Sequence, residues 1–241
     1  MKELPLREYA LLPARFVPGS LIVHTPGMTH RKAAILEPLA CAVRGITESG
    51  VGPGQSVAVI GVGPLGLMLV ALAKMRGAHV VALGRNPDRL ARARAFGADE
   101  AVSVLEEPDM ERALRHRSPG QRGPDIVIEA AGTPETANVA LAAVRKGGLV
   151  NLFAGCPAGA RISVDAERLH YEELTVKSSF HHTPESVKTA FEIIVEGRLD
   201  IGAFVTAEAT LDELPAVLAG LADGASGLKT AILPWGADGS D

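Results

Sequence analysis

The chain has 241 residues, 47% of them hydrophobic and 22% charged, and a formal net charge of −4 at pH 7. That balance describes a folded protein with a sizeable core and offers no basic surface for nucleic acid or anionic membrane. Two widely spaced cysteines, Cys41 and Cys156, argue against a disulfide framework or a four-cysteine zinc site. The longest apolar run, residues 65–73, is too short to span a bilayer, and no signal-peptide core opens the chain, so the expected location is the cytoplasm.

The first fifty residues are irregular in pattern: one or two short strands over 7–17, then helices over 29–36 and 38–48 leading into a turn at 50–54. From residue 56 strands and helices alternate. A short apolar run at 56–60 reads as a buried strand, and a helix from Pro64 to about Arg76 is closed by Gly77. A second strand follows at 79–83, then a helix capped by Asn86, with Pro87 in its first turn and Gly97 past its end. Residues 101–104 form a third strand, 108–116 a helix and 118–124 a Gly/Pro-rich loop. Strand 125–129 precedes a helix capped by Thr133, which gives way at Gly147-Gly148 to a fifth strand at 149–153. A sixth strand at 174–178 and a helix at 184–196 complete the series. The pattern predicts an α/β Rossmann domain, a doubly wound parallel six-stranded sheet with helices on both faces. A helix at 211–221 and a strand at 228–233 do not continue the alternation. The expected organisation is therefore 1–50 and 201–241 as parts of a second substructure, with 51–200 as the nucleotide-binding domain.

Gly61-Val62-Gly63-Pro64-Leu65-Gly66 lies between a predicted strand and a predicted helix, the setting that gives the GxGxxG pattern its meaning. Gly61 permits the tight turn, Gly63 lets backbone approach a pyrophosphate, and Gly66 allows close helix–strand packing. The helix start adds free N–H groups and partial positive charge. A bare strand–helix turn would carry the same glycines, but the surrounding αβ units favour a nicotinamide dinucleotide.

An acid for the adenosine ribose belongs at the end of the second strand, about 20 residues past the loop. The sequence there reads Leu83-Gly84-Arg85-Asn86, with no acid before Asp88. Gly84 removes bulk and negative charge, and Arg85 can pair with a 2′-phosphate, so NADP is expected over NAD. Asn86, at a helix start, is a further donor to that phosphate. The missing acid also argues against an S-adenosylmethionine site.

Glu37-Pro38-Leu39-Ala40-Cys41, then Gly50-Val51-x-Pro53-Gly54-x-x-Val57-x-Val59, then the glycine loop, resemble the medium-chain zinc-dependent alcohol and polyol dehydrogenases. Arg7-Glu8-Tyr9-Ala10 resembles the strand leading from that family's catalytic domain, and His181-His182-Thr183-Pro184 resembles its polyol-acting members. The resemblance covers nearly the whole chain. It implies hydride transfer between nicotinamide and an alcohol or polyol carbon, with dimerisation through the fifth and sixth strands. It also implies that most of the GroES-like catalytic domain, with the main zinc ligands, precedes the segment that Met1 opens.

By resemblance Glu37 approaches the catalytic zinc, but three protein ligands are needed and this chain alone is not expected to hold the metal. The plain alternative is a carboxylate at a helix start. Cys41 would line the nicotinamide pocket, or equally serve as a small buried residue. The loops Ala130-Ala131-Gly132 and Ala154-Gly155-Cys156, at strand carboxyl ends, would border the nicotinamide ribose and ring, and Ser179 and Phe180 its carboxamide. His181 and His182 are adjacent and point opposite ways on an extended segment, so they form no metal pair; either one could touch substrate or cofactor.

Three functions follow: an NAD(P)-dependent oxidoreductase acting on a small alcohol or polyol, with this chain supplying the cofactor-binding part; a cofactor-binding module without turnover; and a zinc-independent quinone-type reductase, disfavoured by Glu37-Pro38. No catalytic residue can be assigned from the sequence.

Overall fold

The computed structural model describes residues 28–222 and 227–233. The strands at 7–17 read from the sequence, and the resembling segment at Arg7, lie outside the described residues. Two compact units divide the chain: residues 38–186 form one, and residues 1–37 with 187–241 the other.

In the larger unit, β1 (Ser56–Ile60), β2 (His79–Gly84), β3 (Glu100–Ser103), β4 (Ile126–Glu129), β5 (Leu149–Leu152) and β6 (Thr175–Ser178) form one sheet. The strand order is β3-β2-β1-β4-β5-β6, and every pairing is parallel. This is the doubly wound Rossmann order, with its switch point between β1 and β4. β1 and β4 are buried at every position, as strands covered on both faces must be.

Helices follow in the chain as α1 (His30–Ala33), α2 (Leu36–Glu48), α3 (Pro64–Met75), α4 (Pro87–Ala95), α5 (Met110–His116) and α6 (Pro134–Ala143). Ala58, Ile60, Leu83 and Val127 pack with Ala113 and Leu114 of α5 and Ala140 and Leu141 of α6 in one core on one sheet face. The helix starts obey their caps. Asn86 accepts from the Arg89 N–H at 3.0 Å, Asp109 from Arg112 at 3.0 Å and Thr133 from Thr136 at 3.2 Å.

Several elements differ from the sequence reading. α2 begins before Pro38, because the proline falls in the first turn, where its missing N–H would have had no partner. α7 (Ala166–Tyr171) occupies part of what reads as loop between β5 and β6. Its Asp165 cap accepts from Glu167 and Arg168, and Arg168 reaches the last carbonyls of α6, those of Leu141 at 2.9 Å and Ala142 at 3.0 Å. Those carbonyls have no intrahelical partner, so the short helix completes the end of the longer one.

Asp125, at the foot of β4, binds the sheet's amino end. It accepts from the Ser56 N–H and Oγ, both at 2.7 Å, and from Arg145 Nε at 2.5 Å. Burial pushes its carboxyl up, but these donors outweigh burial and hold it below the usual carboxylate range.

The smaller unit contains α1, β7 (Val205–Thr210), α9 (Leu214–Ala222), β8 (Lys229–Leu233) and the greater part of α8 (Pro184–Val195). β7 and β8 pair in parallel as a separate two-stranded sheet. β7 does not stand out in the sequence, since Val-Thr-Ala-Glu-Ala-Thr is half polar and its exposed residues carry no apolar signal. Arg31 of α1 donates to the Val205 carbonyl at 2.5 Å and pairs with Glu208 at 3.2 Å.

Candidate functional site

The turn from β1 into α3 is held open by two steric demands. Gly61 has φ +106°, and a Cβ there would stand 2.8 Å from the backbone of Ala130 and Ala131. A Cβ on Gly66 would overlap the Gly61 carbonyl oxygen, so helix and turn touch backbone to backbone. Gly63 differs, because nothing lies within 4 Å of the position its Cβ would take. It is the helix cap, and it supplies no side chain to the free N–H groups of the first turn. The open space at Gly63 and the uncapped helix start make a cradle that suits a pyrophosphate.

Around this cradle lies a cavity of about 450 Å³ lined by Gly61, Val62, Gly63, Gly84, Arg85, Asn86, Arg89, Ala130, Ala131, Thr133 and Thr136, among others. Its size falls within the range of small-ligand pockets. It opens at the carboxyl ends of β1, β2 and β4, astride the switch point, where ligands of open α/β sheets bind. A cavity of about 580 Å³ lined by Glu100, Glu107, Arg112 and Arg117 begins instead at the amino end of β3. Arg117 there pairs with both Glu100 and Glu107.

Of the residues expected at the cofactor, Gly61, Gly63, Gly84, Arg85, Ala130 and Ala131 share the cavity wall. Pro64, Leu65 and Gly66 lie just behind it in the first turn of α3. Arg85 is exposed. Asn86 lines the cavity, but its side-chain oxygen is occupied in capping α4.

Gly132 and the Ala154-Gly155-Cys156 loop adjoin each other. Gly132 has φ +76°, and a Cβ on it would stand 2.8 Å from the Gly155 carbonyl. Ala154 donates its N–H to the Glu129 carbonyl at 3.0 Å, while Gly155 and Cys156 are exposed.

Ser179 is buried within a polar network. Its Oγ donates to Glu48 Oε2 at 2.7 Å and accepts from Asn151 Nδ2 at 3.1 Å. Arg44 bridges Glu48 at 2.7 Å and the Phe180 carbonyl at 2.6 Å, and Lys177 adds a contact to Glu48 at 3.3 Å. The Arg44 guanidinium, helped by Ser179 and Lys177, lowers the Glu48 carboxyl from the usual 4.5 to about 2 against the opposing effect of burial. The Phe180 ring is exposed, with the His181 ring 4.0 Å away, and His181 has φ +64°. His182 lies in edge contact with His181 at 6.4 Å.

Glu129 is a site residue that the sequence reading passes over. It is fully buried at the end of β4, and its Oε1 accepts from the N–H groups of Ala131 at 2.7 Å and Gly132 at 2.9 Å and from Thr136 Oγ1 at 2.8 Å. The carboxylate thereby shapes the β4 wall of the cavity. An acid ending the otherwise apolar strand run Ile126-Val127-Ile128, followed by small residues, is the signal that could have marked it.

Glu37 lies in the first turn of α2 and is exposed, with Cys41 one turn further along the same helix. Among the described residues no three His, Cys, Asp or Glu side chains group as metal ligands. A catalytic zinc requires such a set, so the described donors by themselves do not fit that metal.

The described geometry is a Rossmann sheet with an open glycine cradle at its switch point. A sequence profile of the zinc-binding dehydrogenases matches residues 64–196, and the chain belongs to that family. Among curated relatives, it is 28% identical to sorbitol dehydrogenase of Bacillus subtilis over 187 residues, 77% of this chain and 52% of the relative. It is 28% identical to D-xylulose reductase A of Aspergillus niger over 233 residues, 94% of this chain and 62% of the relative. The chain thus spans between half and two-thirds of the length of these relatives. Among solved structures, alcohol dehydrogenase TADH from Thermus sp. ATN1 superposes with a TM-score of 0.79 at 30% identity, over 87% of this chain and 60% of that one. A structure from Sinorhizobium meliloti 1021, described as a zinc-binding dehydrogenase bound to NADP, gives 0.79 at 29% identity, over 84% and 59%.

Proposed function

We propose that this chain supplies the cofactor-binding part of an NAD(P)-dependent oxidoreductase that acts on a small alcohol or polyol, and that it prefers NADP. The observation that carries this reading is the cavity at the β1/β4 switch point, with the open Gly63 cradle at one side and Arg85 at the rim. A bound nicotinamide dinucleotide supplies a hydride acceptor or donor. The first-turn N–H groups of α3 bind pyrophosphate, and Gly61 and Gly66 keep that turn close against the sheet. Arg85 meets a 2′-phosphate, and Gly84 contributes no carboxylate at the end of β2. The β4 and β5 loops, fixed through Glu129 and the Gly132–Gly155 contact, form the wall on the nicotinamide side. Ser179 and Phe180 extend that wall, held from α2 by Glu48 and Arg44. The names of the polyol-active relatives, and the NADP bound by one structural relative, agree with this assignment.

The edge strand β6, with exposed Tyr171 nearby in α7, is the face through which two copies would pair. The residues at 51–200 would be the nucleotide-binding domain, flanked by parts of the substrate-handling domain. Cys41 and Cys156, which form no disulfide, suit a cytoplasmic protein. No helix among the described residues is long and apolar enough to cross a membrane.

The test is a titration of the purified chain with NADPH and with NADH, followed by fluorescence, with polyol oxidation assayed in parallel with and without added zinc. Tighter binding of NADPH is expected. Tighter binding of NADH would overturn the NADP assignment, and saturable binding without turnover would reduce the chain to a binding module.

A further inference from the structure

Gly84 ends β2 beside Ser103 of β3, and its φ lies outside the left-handed region, so its backbone accepts any residue. Space does not. A Cβ built on Gly84 would overlap the γ2 methyl of Val62 and lie 3.4 Å from the Val62 Cβ and 3.5 Å from Leu90 Cδ2. Val62 has little freedom to move away. It is 4% exposed, and of its two other χ1 rotamers one swings the second methyl into the vacated place while the other turns Hβ there only by moving a methyl into packed surroundings. Its backbone is also pinned, because the N–H of neighbouring Gly61 donates to the Leu83 carbonyl at 2.8 Å. Positions 62 and 84 therefore form one steric pair, and both line the same end of the cavity as Arg85.

We infer that Val62 is a cofactor-specificity residue. By filling the space where a side chain at 84 would begin, it holds that position at glycine. It thereby excludes the strand-end carboxylate that would bind a ribose diol and repel a 2′-phosphate. The specificity claim rests on the proposed NADP reading; the steric pairing does not. Its consequence is that no single substitution converts the site. Gly84→Asp alone drives Val62 into the glycine turn and harms the binding of either cofactor. Only with Val62→Ala does the acid find room.

The experiment has two arms. The first needs no cofactor and compares thermal unfolding of Val62→Ala, Gly84→Ala and the double variant. Gly84→Ala is expected to lower the midpoint by about 5 °C or more, as overpacking does in a domain of this size, and Val62→Ala is expected to recover most of that loss. Strictly additive midpoints would overturn the pairing.

The second arm measures Kd for NADPH and NADH in the parent, Val62→Ala, Gly84→Asp and Val62→Ala/Gly84→Asp. Gly84→Asp is expected to weaken both cofactors about tenfold or more, and the double variant to regain about tenfold for NADH and prefer it. Tight NADH binding by Gly84→Asp alone would overturn the inference, as would a double variant no better than Gly84→Asp. A parent that prefers NADH removes the NADP reading and the specificity claim with it, while the first arm still decides the pairing.

Discussion

Glu129→Ala tests how the cavity wall is built. The Glu129 carboxylate is fully buried, and its Oε1 carries three donors: two backbone N–H groups of the 130–132 turn and the Thr136 hydroxyl. Deleting the acceptor leaves these donors without it. Each such loss costs about 1–3 kcal/mol where water cannot enter, and the removed volume adds a cavity term. Ala131 is exposed, so water compensates part of its loss. The expected cost is about 2–4 kcal/mol of stability. Glu129→Gln keeps an amide oxygen at the Oε1 place but loses the charge assistance and sets an NH2 group where Oε2 is buried without a hydrogen-bond partner, so it recovers only part of the loss. Urea unfolding at neutral pH reads the stability, and cofactor titration reads the wall. Glu129→Ala should weaken cofactor binding about tenfold, with Glu129→Gln affected less. A wild-type urea midpoint for Glu129→Ala, or a glutamine variant as damaged as the alanine one, would refute this role of the carboxylate.

Four further variants probe the same geometry. Gly66→Ala, whose Cβ would overlap backbone that cannot yield, should cost about 2 kcal/mol or more. Gly63→Ala, with open space at its Cβ, should leave unfolding within about 1 kcal/mol of wild type yet weaken cofactor binding; denaturation and titration of the two variants separate these effects. Arg85→Ala should weaken NADPH about tenfold and NADH much less, with the NADPH difference shrinking at high salt in the same titration. Glu48, lowered from 4.5 to about 2 chiefly by Arg44, contributes stability that is complete above its unfolded value and is lost as pH falls from about 4.5 toward 2. Wild type should therefore exceed Glu48→Gln by about 1–2 kcal/mol at pH 7, with the gap closing only in that acid window when urea midpoints are compared across pH.

Much of the larger unit was legible because its signals are local. The run of buried residues at 56–60, the glycine spacing, the caps Asn86 and Thr133, and Pro64 at a helix start each act within a few residues of themselves. The six parallel strands followed from the alternation, while their order is given by the structure. α7 was hidden because its six residues, Ala-Glu-Arg-Leu-His-Tyr, bury nothing fully. Its clearest role, the bonds of Arg168 to the end of α6, joins segments far apart in sequence. β7 was hidden for the related reason that its pairing with β8 depends on chain beyond the intervening helix.

At the site, the glycine turn was legible as a motif, while the reasons behind its neighbours were not. Gly84 read as the absence of an acid, but the structure adds the demand made by Val62. Ser179 read as a cofactor contact, and the structure commits its hydroxyl to Glu48 and Asn151. Glu129 was missed because its partners only meet once β4, its loop and α6 have folded together.

The central claim is that a nicotinamide dinucleotide occupies the cavity between the glycine turn and the end of β2. Amide hydrogen exchange with and without NADPH tests it most directly. Saturable protection is expected, concentrated at residues 61–68 and 84–89, and at 130–132 beside them. No saturable change at millimolar NADPH, or protection confined to other segments, would contradict it.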